Sequence, residues 1–498
     1  MNGWLLCGAA ILMVGMSAAA CGSGATSPAT VATSPVAVTQ APTAAFSLAR
    51  TSPWNLTVAF TDSSTGSPAA WSWNFGDGTL STEQHPTHVY ATSGTYTSTL
   101  VASNAAGSTT TTKSVTVSGG AEVQVCDGGR PTVVVLVDGA LRPALAATIQ
   151  RYAADLCVEG YRVWLTDFIP ATPPSIREYL AGAWDRSAHT LSGALLVGNI
   201  PHAYQYVTSV SANPSFPSVR EEVISFQYYA DLNGTFSASS GYVGGHPYSY
   251  DVHSGEMNWE IWIGVLPVYK GSTTQTIDAL LQYFDKNHAY RTGGAKPPRA
   301  FVEVNELTNA SNPAEEASVF ASMRNGLYSW TPFSNSASAS FYFSGVTSGH
   351  SIADGYVAAR SGTADFVVGD SHGGYLAAGQ LTLASVEAIP LKANFFWSSG
   401  CAIGDLDHAE NVLTSIVYAK NSAVLIGKGT TDDSGGMGNN AQGFYGHNVA
   451  TAMTAGASFG NAILGHVNVP LLSPWSSSRE FHFGTVLIVG DPTLRLRQ

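Results

Sequence analysis

Charged side chains are scarce in this chain. They make up 11% of 498 residues, with 22 Lys and Arg against 34 Asp and Glu, for a net charge of −12. Without a basic field there is nothing to neutralise a phosphate backbone, so nucleic acid is excluded as a partner. Cysteine is scarce as well, five in all, so the chain is not a disulfide scaffold and each thiol has to be accounted for separately. Long apolar runs are also missing. The longest candidate, within the first twenty residues "MNGWLLCGAAILMVGMSAAA", is too short to span a bilayer comfortably and ends in small residues, as a secretory signal does.

Residues 1–20 are accordingly expected to be a signal peptide, which makes the mature protein an exported one, anchored in the cell envelope or extracellular. The junction Ala18-Ala19-Ala20-Cys21 resembles a bacterial lipobox, which implies lipidation of Cys21 and a membrane anchor; ordinary cleavage after Ala20 is the alternative. With Cys7 removed in the signal, Cys126, Cys157 and Cys401 remain in the exported body. Cys126 precedes the apolar run "TVVVLVD" and Cys157 ends the helix expected after it, which makes them the candidate disulfide pair, with two buried free thiols as the alternative. Cys401 is then left without a structural partner.

Length favours two or three domains. Residues 21–42, rich in Ser, Thr, Pro and Ala, cannot bury a core and read as a flexible linker. From 43 to 118 short segments such as "LTVAFTD" and "GTYTSTLVASN" alternate with Gly and Ser turns at the spacing of an all-β sandwich. Within it, Trp73, Phe75-Gly76-Asp77-Gly78, His88, Tyr90, Gly94 and Tyr96 resemble the PKD domain. That resemblance implies an immunoglobulin-like spacer or binding module that contacts proteins or polysaccharide. Asp77, between two glycines, is expected as a turn residue. A connector, 119–130, leads into 131–498, where strands alternate with helices in two series divided by a boundary near 295. This is the pattern of an α/β region with mainly parallel sheets.

One stretch, "ADFVVGDSHGGYLAAG" (364–379), offers two chemistries. Gly369-Asp370-Ser371-His372-Gly373 fits the G-x-S-x-G elbow of serine hydrolases if "YLAAG" opens a helix behind it, with Asp432 and one of His447, His466 or His482 completing a triad. Alternatively, His372 ends one strand and Cys401, in "ANFFWSSGCAIGD", ends the next, so that a parallel sheet brings imidazole and thiol to one crevice. A thiol needs such a neighbour, because it is mostly protonated at neutral pH. Of the thirteen histidines only His372 is followed by glycine, and the backbone N–H groups of Gly373 and Cys401 can serve as oxyanion donors.

Across 131–498 the motifs "ALLVGNIP", "FQYYADLNG", "WEIWIGVLPVY", "VVGDSHGG", "FFWSSGCAIGDLD", "SAVLIGKGTTD" and "LIVGDPTLRLR" resemble, in this order, the gingipain-type cysteine peptidases. The resemblance implies a caspase-like α/β fold and an endopeptidase with Cys401 as nucleophile and His372 as base and acid. Gly373 and Cys401 would form the oxyanion site, and an acid from an earlier strand end, Glu306 with Glu303 in reserve, would orient the histidine. It also places Glu316 and Asp432 in pocket-forming loops, where either selects a basic side chain of a protein or peptide substrate. The "SSG" before Cys401 departs from the family's more apolar strand end, and a catalytically inactive envelope binding protein is a further alternative.

No cofactor is required for this chemistry. Asp231-Leu232-Asn233-Gly234 resembles a fragment of a calcium loop, which keeps structural calcium open, although a turn suits it better. Asp405, Asp407, His408 and Glu410 match no familiar zinc spacing and fit the acidic start of a helix, so no metal site is assigned. The aromatic-rich segment 226–259 is expected to be a long surface insertion packed on the sheet rather than a carbohydrate platform.

Overall fold

A computed structural model provides the structure. It describes residues 40–50, 56–90, 94–117, 122–127, 129, 131–168, 172–209, 219–240, 242, 244–256, 258–293, 301–309, 339–344, 357–361, 365–370, 373–374, 377–378, 381–389, 391–398, 406–418, 425–428, 449–468 and 486–496.

The N-terminal unit is a pair of antiparallel sheets. One holds three strands, Phe46–Arg50, Thr57–Asp62 and Thr87–Val89, and the other four, including the long Gly94–Asn104 and Gly107–Val117 hairpin. Alternating side chains from the two sheets form its core. Trp73 is fully buried, edge-on to Phe46 at 5.1 Å, and donates its indole N–H to the carbonyl of Glu83 at 2.8 Å. Tyr90 is anchored likewise, through its hydroxyl to the carbonyl of Phe75 at 2.9 Å. Gly76 has φ +89°, and a Cβ there would lie 2.6 Å from the carbonyl oxygen of Thr97, so only glycine fits. Asp77 closes the same turn on the backbone N–H of Thr79 (3.0 Å) and pairs with His88 (2.7 Å). Burial opposes ionisation of Asp77, but the Thr79 and His88 bonds outweigh it and hold its pKa at about 2.

The second unit is built on eleven strands: β1 (Val123–Asp127), β2 (Thr132–Asp138), β3 (Arg162–Phe168), β4 (Leu191–Gly198), β5 (Trp262–Pro267), β6 (Phe301–Asn309), β7 (Ala339–Ser344), β8 (Phe366–Asp370), β9 (Phe395–Ser398), β10 (Leu425–Lys428) and β11 (Leu487–Gly490). Their order across the sheet is β7-β6-β8-β9-β10-β11-β5-β4-β2-β3-β1. Parallel ladders join β7 through β10 on one side and β5, β4, β2 and β3 on the other. Between them β11 runs antiparallel to β10 and meets β5 at the pair Val265–Val489, while β1 is an antiparallel edge on β3. The two strand series of the sequence therefore share one mixed sheet. Every residue of β2 is buried, which is why its sequence is a continuous apolar run without alternation.

Helices α1 (Arg142–Val158), α2 (Pro173–Arg186), α3 (Thr273–Thr292), α4 (Leu383–Ala388), α5 (Val412–Tyr418) and α6 (Phe459–Val467) accompany the sheet. Their starts are locally encoded. Thr172 and Ser175 form a reciprocal capping box on α2, and Ser272 caps α3 by accepting from the N–H of Gln275. Cys126 on β1 and Cys157 in the last turn of α1 are joined in a disulfide, with Cα atoms 6.1 Å apart. The bond fastens the edge strand to the helix behind it and contributes roughly 3 kcal/mol on the chain-entropy account. Within 226–259, Phe226, Tyr229, Leu232 and Trp259 are buried in the main core.

Candidate active site

Strands β8 and β9 lie side by side and parallel, in register from Phe366–Phe395 to Gly369–Ser398. Phe366, Val367, Val368, Phe395, Phe396 and Trp397 are buried, which fixes both strands up to their last residues. At the exit, the buried Ser398 hydroxyl donates to the carbonyl of Gly369 at 3.4 Å. His372 and Ser371 follow the first exit in sequence and Cys401 the second; all three lie outside the described residues, as do Cys21, Glu316, Asp432, His447 and His482.

Gly373 is described. It pairs with Ala378 in a small antiparallel meander, Gly373–Gly374, Ala377–Ala378 and Leu381–Thr382, that leads into α4. The helix that the serine elbow requires behind its nucleophile is therefore not formed by "YLAAG", whose two alanines are β-paired. Small residues next to glycine set no helical period, and pairing with Leu381–Thr382 decides their conformation. His466, a triad candidate in the same scheme, stands on α6. The residue that ends that helix, Asn468, bonds the backbone of Trp259 ahead of β5. Burial pushes the pKa of His466 down to about 4.

Glu303 and Glu306 lie on β6, the other neighbour of β8. Glu303 is paired with Val368 in mid-strand, and Asn305, immediately before Glu306, is paired with Asp370, the last residue of β8.

Three further segments, after β4, after β5 and before α5, meet one another, and nothing in the sequence connects them. Asp407 accepts from the Tyr204 hydroxyl at 2.7 Å, and its Oδ1 is 3.1 Å from His202 Nδ1; both partners come from the loop after β4. Burial alone would raise the pKa of Asp407, but the His202 and Tyr204 bonds hold it below the ordinary value. The Tyr204 ring stacks on His246 at 4.0 Å, and His246 pairs with Glu222 at 2.8 Å. After β5, the backbone N–H of Lys270 donates to the carbonyl of Ala409 at 3.0 Å, while its ammonium pairs with Glu387 of α4 at 2.7 Å. Tyr418, at the end of α5, donates its hydroxyl to the carbonyl of Pro267 at the end of β5, at 2.6 Å.

Asp407, His408 and Glu410 are exposed just before α5, and Asn411 caps the helix by accepting from the N–H of Thr414 at 2.9 Å. The Asp231 carboxylate is buried and closes on the N–H of Gly234 (2.6 Å) and on His253 (2.8 Å). Among the described residues no cluster of His, Cys, Asp and Glu is arranged to hold a metal ion, and no helix is long and apolar enough to cross a membrane.

Comparison with known proteins identifies the N-terminal unit. The family model of the PKD domain matches residues 32–119, so this part of the chain is a PKD domain. Collagenase ColA of Bacillus cereus is 51% identical over 47 residues, which cover 9% of this chain and 5% of the collagenase. The PKD1 domain of Vibrio anguillarum Epp is 31% identical and covered over 95% of its length, against 16% of this chain, with a TM-score of 0.15. The Arg-specific cysteine proteinase gingipain R is similar over 75% of this chain and 79% of its own, at 14% identity and a TM-score of 0.48.

Proposed function

We propose that the chain is an extracellular or envelope-anchored cysteine endopeptidase in which Cys401 is the nucleophile and His372 its base. The observation that carries this is the register of β8 and β9: the strands preceding the two residues are parallel neighbours whose last paired residues, Gly369 and Ser398, are tied together. Catalytic groups in α/β sheets collect at such adjacent strand exits.

In this scheme His372 takes the thiol proton and the Cys401 thiolate attacks the peptide carbonyl. Backbone N–H groups of Gly373 and Cys401 stabilise the oxyanion. His372 then protonates the leaving amine, and water, deprotonated by the same imidazole, releases the acyl group. Glu306, one residue past the last pair between β6 and β8, orients the imidazole. Glu316 and Asp432 favour basic side chains in the substrate. The PKD domain holds a protein or polysaccharide surface near the peptidase, and acylation of Cys21 supplies the anchor. Export accords with the Cys126–Cys157 disulfide, a bond that persists in oxidising compartments.

The test is intact mass of the full chain after a thiol-directed peptidyl inhibitor and, separately, after a fluorophosphonate. Adduct formation with the first, lost in Cys401→Ala and in His372→Ala, is the expected result. Fluorophosphonate labelling lost in Ser371→Ala would replace the cysteine mechanism by a serine one. Labelling by neither would leave a binding protein.

A further inference from the structure

Beside the entries of β2, β4 and β5 lies a cavity of about 450 Å³, within the range of ligand sites. Pro131, Thr190 and Glu260 line it just ahead of those strands, Trp184 from the last turn of α2, His189 from the turn after that helix, and Leu464 from α6. The turn that carries His189 is strained. Ala188 has φ +52° and His189 φ +61°, a left-handed pair at a helix end where glycine is the usual residue. Such conformations persist where a side chain is needed in that place. Here the imidazole lies flat against the Trp184 indole, with ring centroids 4.9 Å apart and planes 10° from parallel. The N–H of His189 returns to the carbonyl of Trp184 at 3.0 Å, so backbone and ring are fixed together. The His189 side chain is 65% exposed, which leaves the imidazole open to a ligand.

Glu260 is fixed as well. Its carboxylate accepts from the N–H of Leu232 at 2.6 Å and from the Asn233 amide at 2.6 Å, both neutral donors. Among the described residues no basic side chain pairs with it. Burial chiefly, with the neighbouring Asp231 carboxylate, raises the pKa of Glu260. A half-buried carboxylate that lines a cavity without a counter-charge favours a cationic occupant.

We infer that this cavity binds the arginine side chain of a polypeptide: the guanidinium stacks on the imidazole of His189 and pairs with Glu260, while Pro131 and Leu464 cover its methylene stem. A planar guanidinium suits a ring and a carboxylate together better than a compact ammonium does. Asp185, with Oδ1 3.5 Å from His189 Nε2, adds a second negative charge beside the rings. The exposed ring wall lets the chain that carries the arginine continue into solvent. The site needs neither Cys401 nor His372.

The full chain, carrying Cys401→Ala so that the peptide is not cleaved, is titrated in a calorimeter with acetyl-Gly-Arg-Gly-amide, with its citrulline counterpart and with free arginine. The arginine peptide is expected to bind, and the citrulline peptide, similar in shape but uncharged, to bind about tenfold more weakly. Glu260→Gln is expected to lower the affinity for the arginine peptide about tenfold, and His189→Gly about threefold. Glycine relieves the left-handed turn, so Tm is expected to hold in His189→Gly, and lost affinity without lost stability marks the ring as a ligand contact. His189→Asn, which also tolerates the left-handed region and lacks the ring, is expected to behave alike. No binding of the arginine peptide, or equal affinity for the citrulline one, overturns the inference. So does arginine binding that neither Glu260→Gln nor His189→Gly weakens, because the cation then sits elsewhere in the chain. Tighter binding of free arginine than of the capped peptide overturns a polypeptide as its source.

Discussion

The hydroxyl of Ser398 reaches the carbonyl oxygen of Gly369 at 3.4 Å, linking the last paired residues of two parallel strands. A serine at a buried strand end, where an apolar residue would pack as well, keeps a polar group only if that group has a partner. Ser398→Ala is expected to cost about 1 kcal/mol in denaturant titration, the usual net value of one hydrogen bond. Ser398→Val, which adds bulk without a donor, is expected to cost more. An unchanged midpoint in Ser398→Ala would mean that the bond does not hold the strand exits together.

Asp407 offers a test through pH. Its folded pKa is lowered, so the stability it contributes is fully present above the unfolded value of about 3.9 and is lost as pH falls through the folded value. The Asp407 side chain is 39% exposed, so solvent screening keeps the contribution under about 1 kcal/mol. Unfolding curves of wild type and Asp407→Asn are expected to differ near neutrality and to converge as pH falls below the unfolded value of about 3.9 and through the lowered folded one. A gap that persists at low pH would show that ionisation is not its source. Tyr204→Phe removes the shorter of the two bonds and is expected to narrow the same gap.

How much of this was legible beforehand depended on how local each cause was. The buried run of β2, the Gly94–Asn104 strand and the turn at Asp77 follow from neighbours a few residues apart, and the folded chain has them where the pattern put them. The Cys126–Cys157 bond was a choice between two states, and strand-helix geometry selected one. The meander at Gly373–Thr382 left no trace in the pattern, since two-residue strands of Gly and Ala carry no periodicity and are defined only by their pairing. Nor did the merging of two strand series into one sheet, which is decided where β11 meets β5 and β10. Lys270 with Glu387, and His202 with Asp407, join segments far apart in sequence, and nothing in either segment's own composition names its partner.

The motif "GDPTLRL" at the end of β11 has a structural role that can be measured. Asp491 is fully buried and accepts from Asn287 (2.9 Å), from the backbone N–H and hydroxyl of Thr493 (3.0 and 2.6 Å) and from Arg291, which also pairs with Glu159. Removing one partner strands a buried charge, so Asp491→Ala is expected to cost about 3–5 kcal/mol. Replacing the pair together, as Arg291→Met with Asp491→Leu, is expected to recover part of that loss. A double variant no better than the single one would show that the hydrogen bonds from Asn287 and Thr493, rather than the ion pair, dominate.

Lys286, on α3, is a second buried charge. Its ammonium donates to the carbonyl of Val417, in the last turn of α5, at 2.5 Å and lies 5.6 Å from the ring of Tyr283. The helix end and the ring both favour a positive charge, but burial dominates and pushes the pKa down to about 7. The unfolded chain therefore binds this proton more readily than the folded one. Stability associated with Lys286 is greatest above the unfolded value of about 10.4, declines as pH falls toward 7, and is flat below it. Lys286→Met, which keeps the stem and removes the charge, is expected to abolish the rise in stability between about pH 7 and 10 and to be at least as stable as wild type at pH 7. If wild type and Lys286→Met keep parallel pH profiles across that range, the lysine is hydrated in solution and its burial does not govern its protonation.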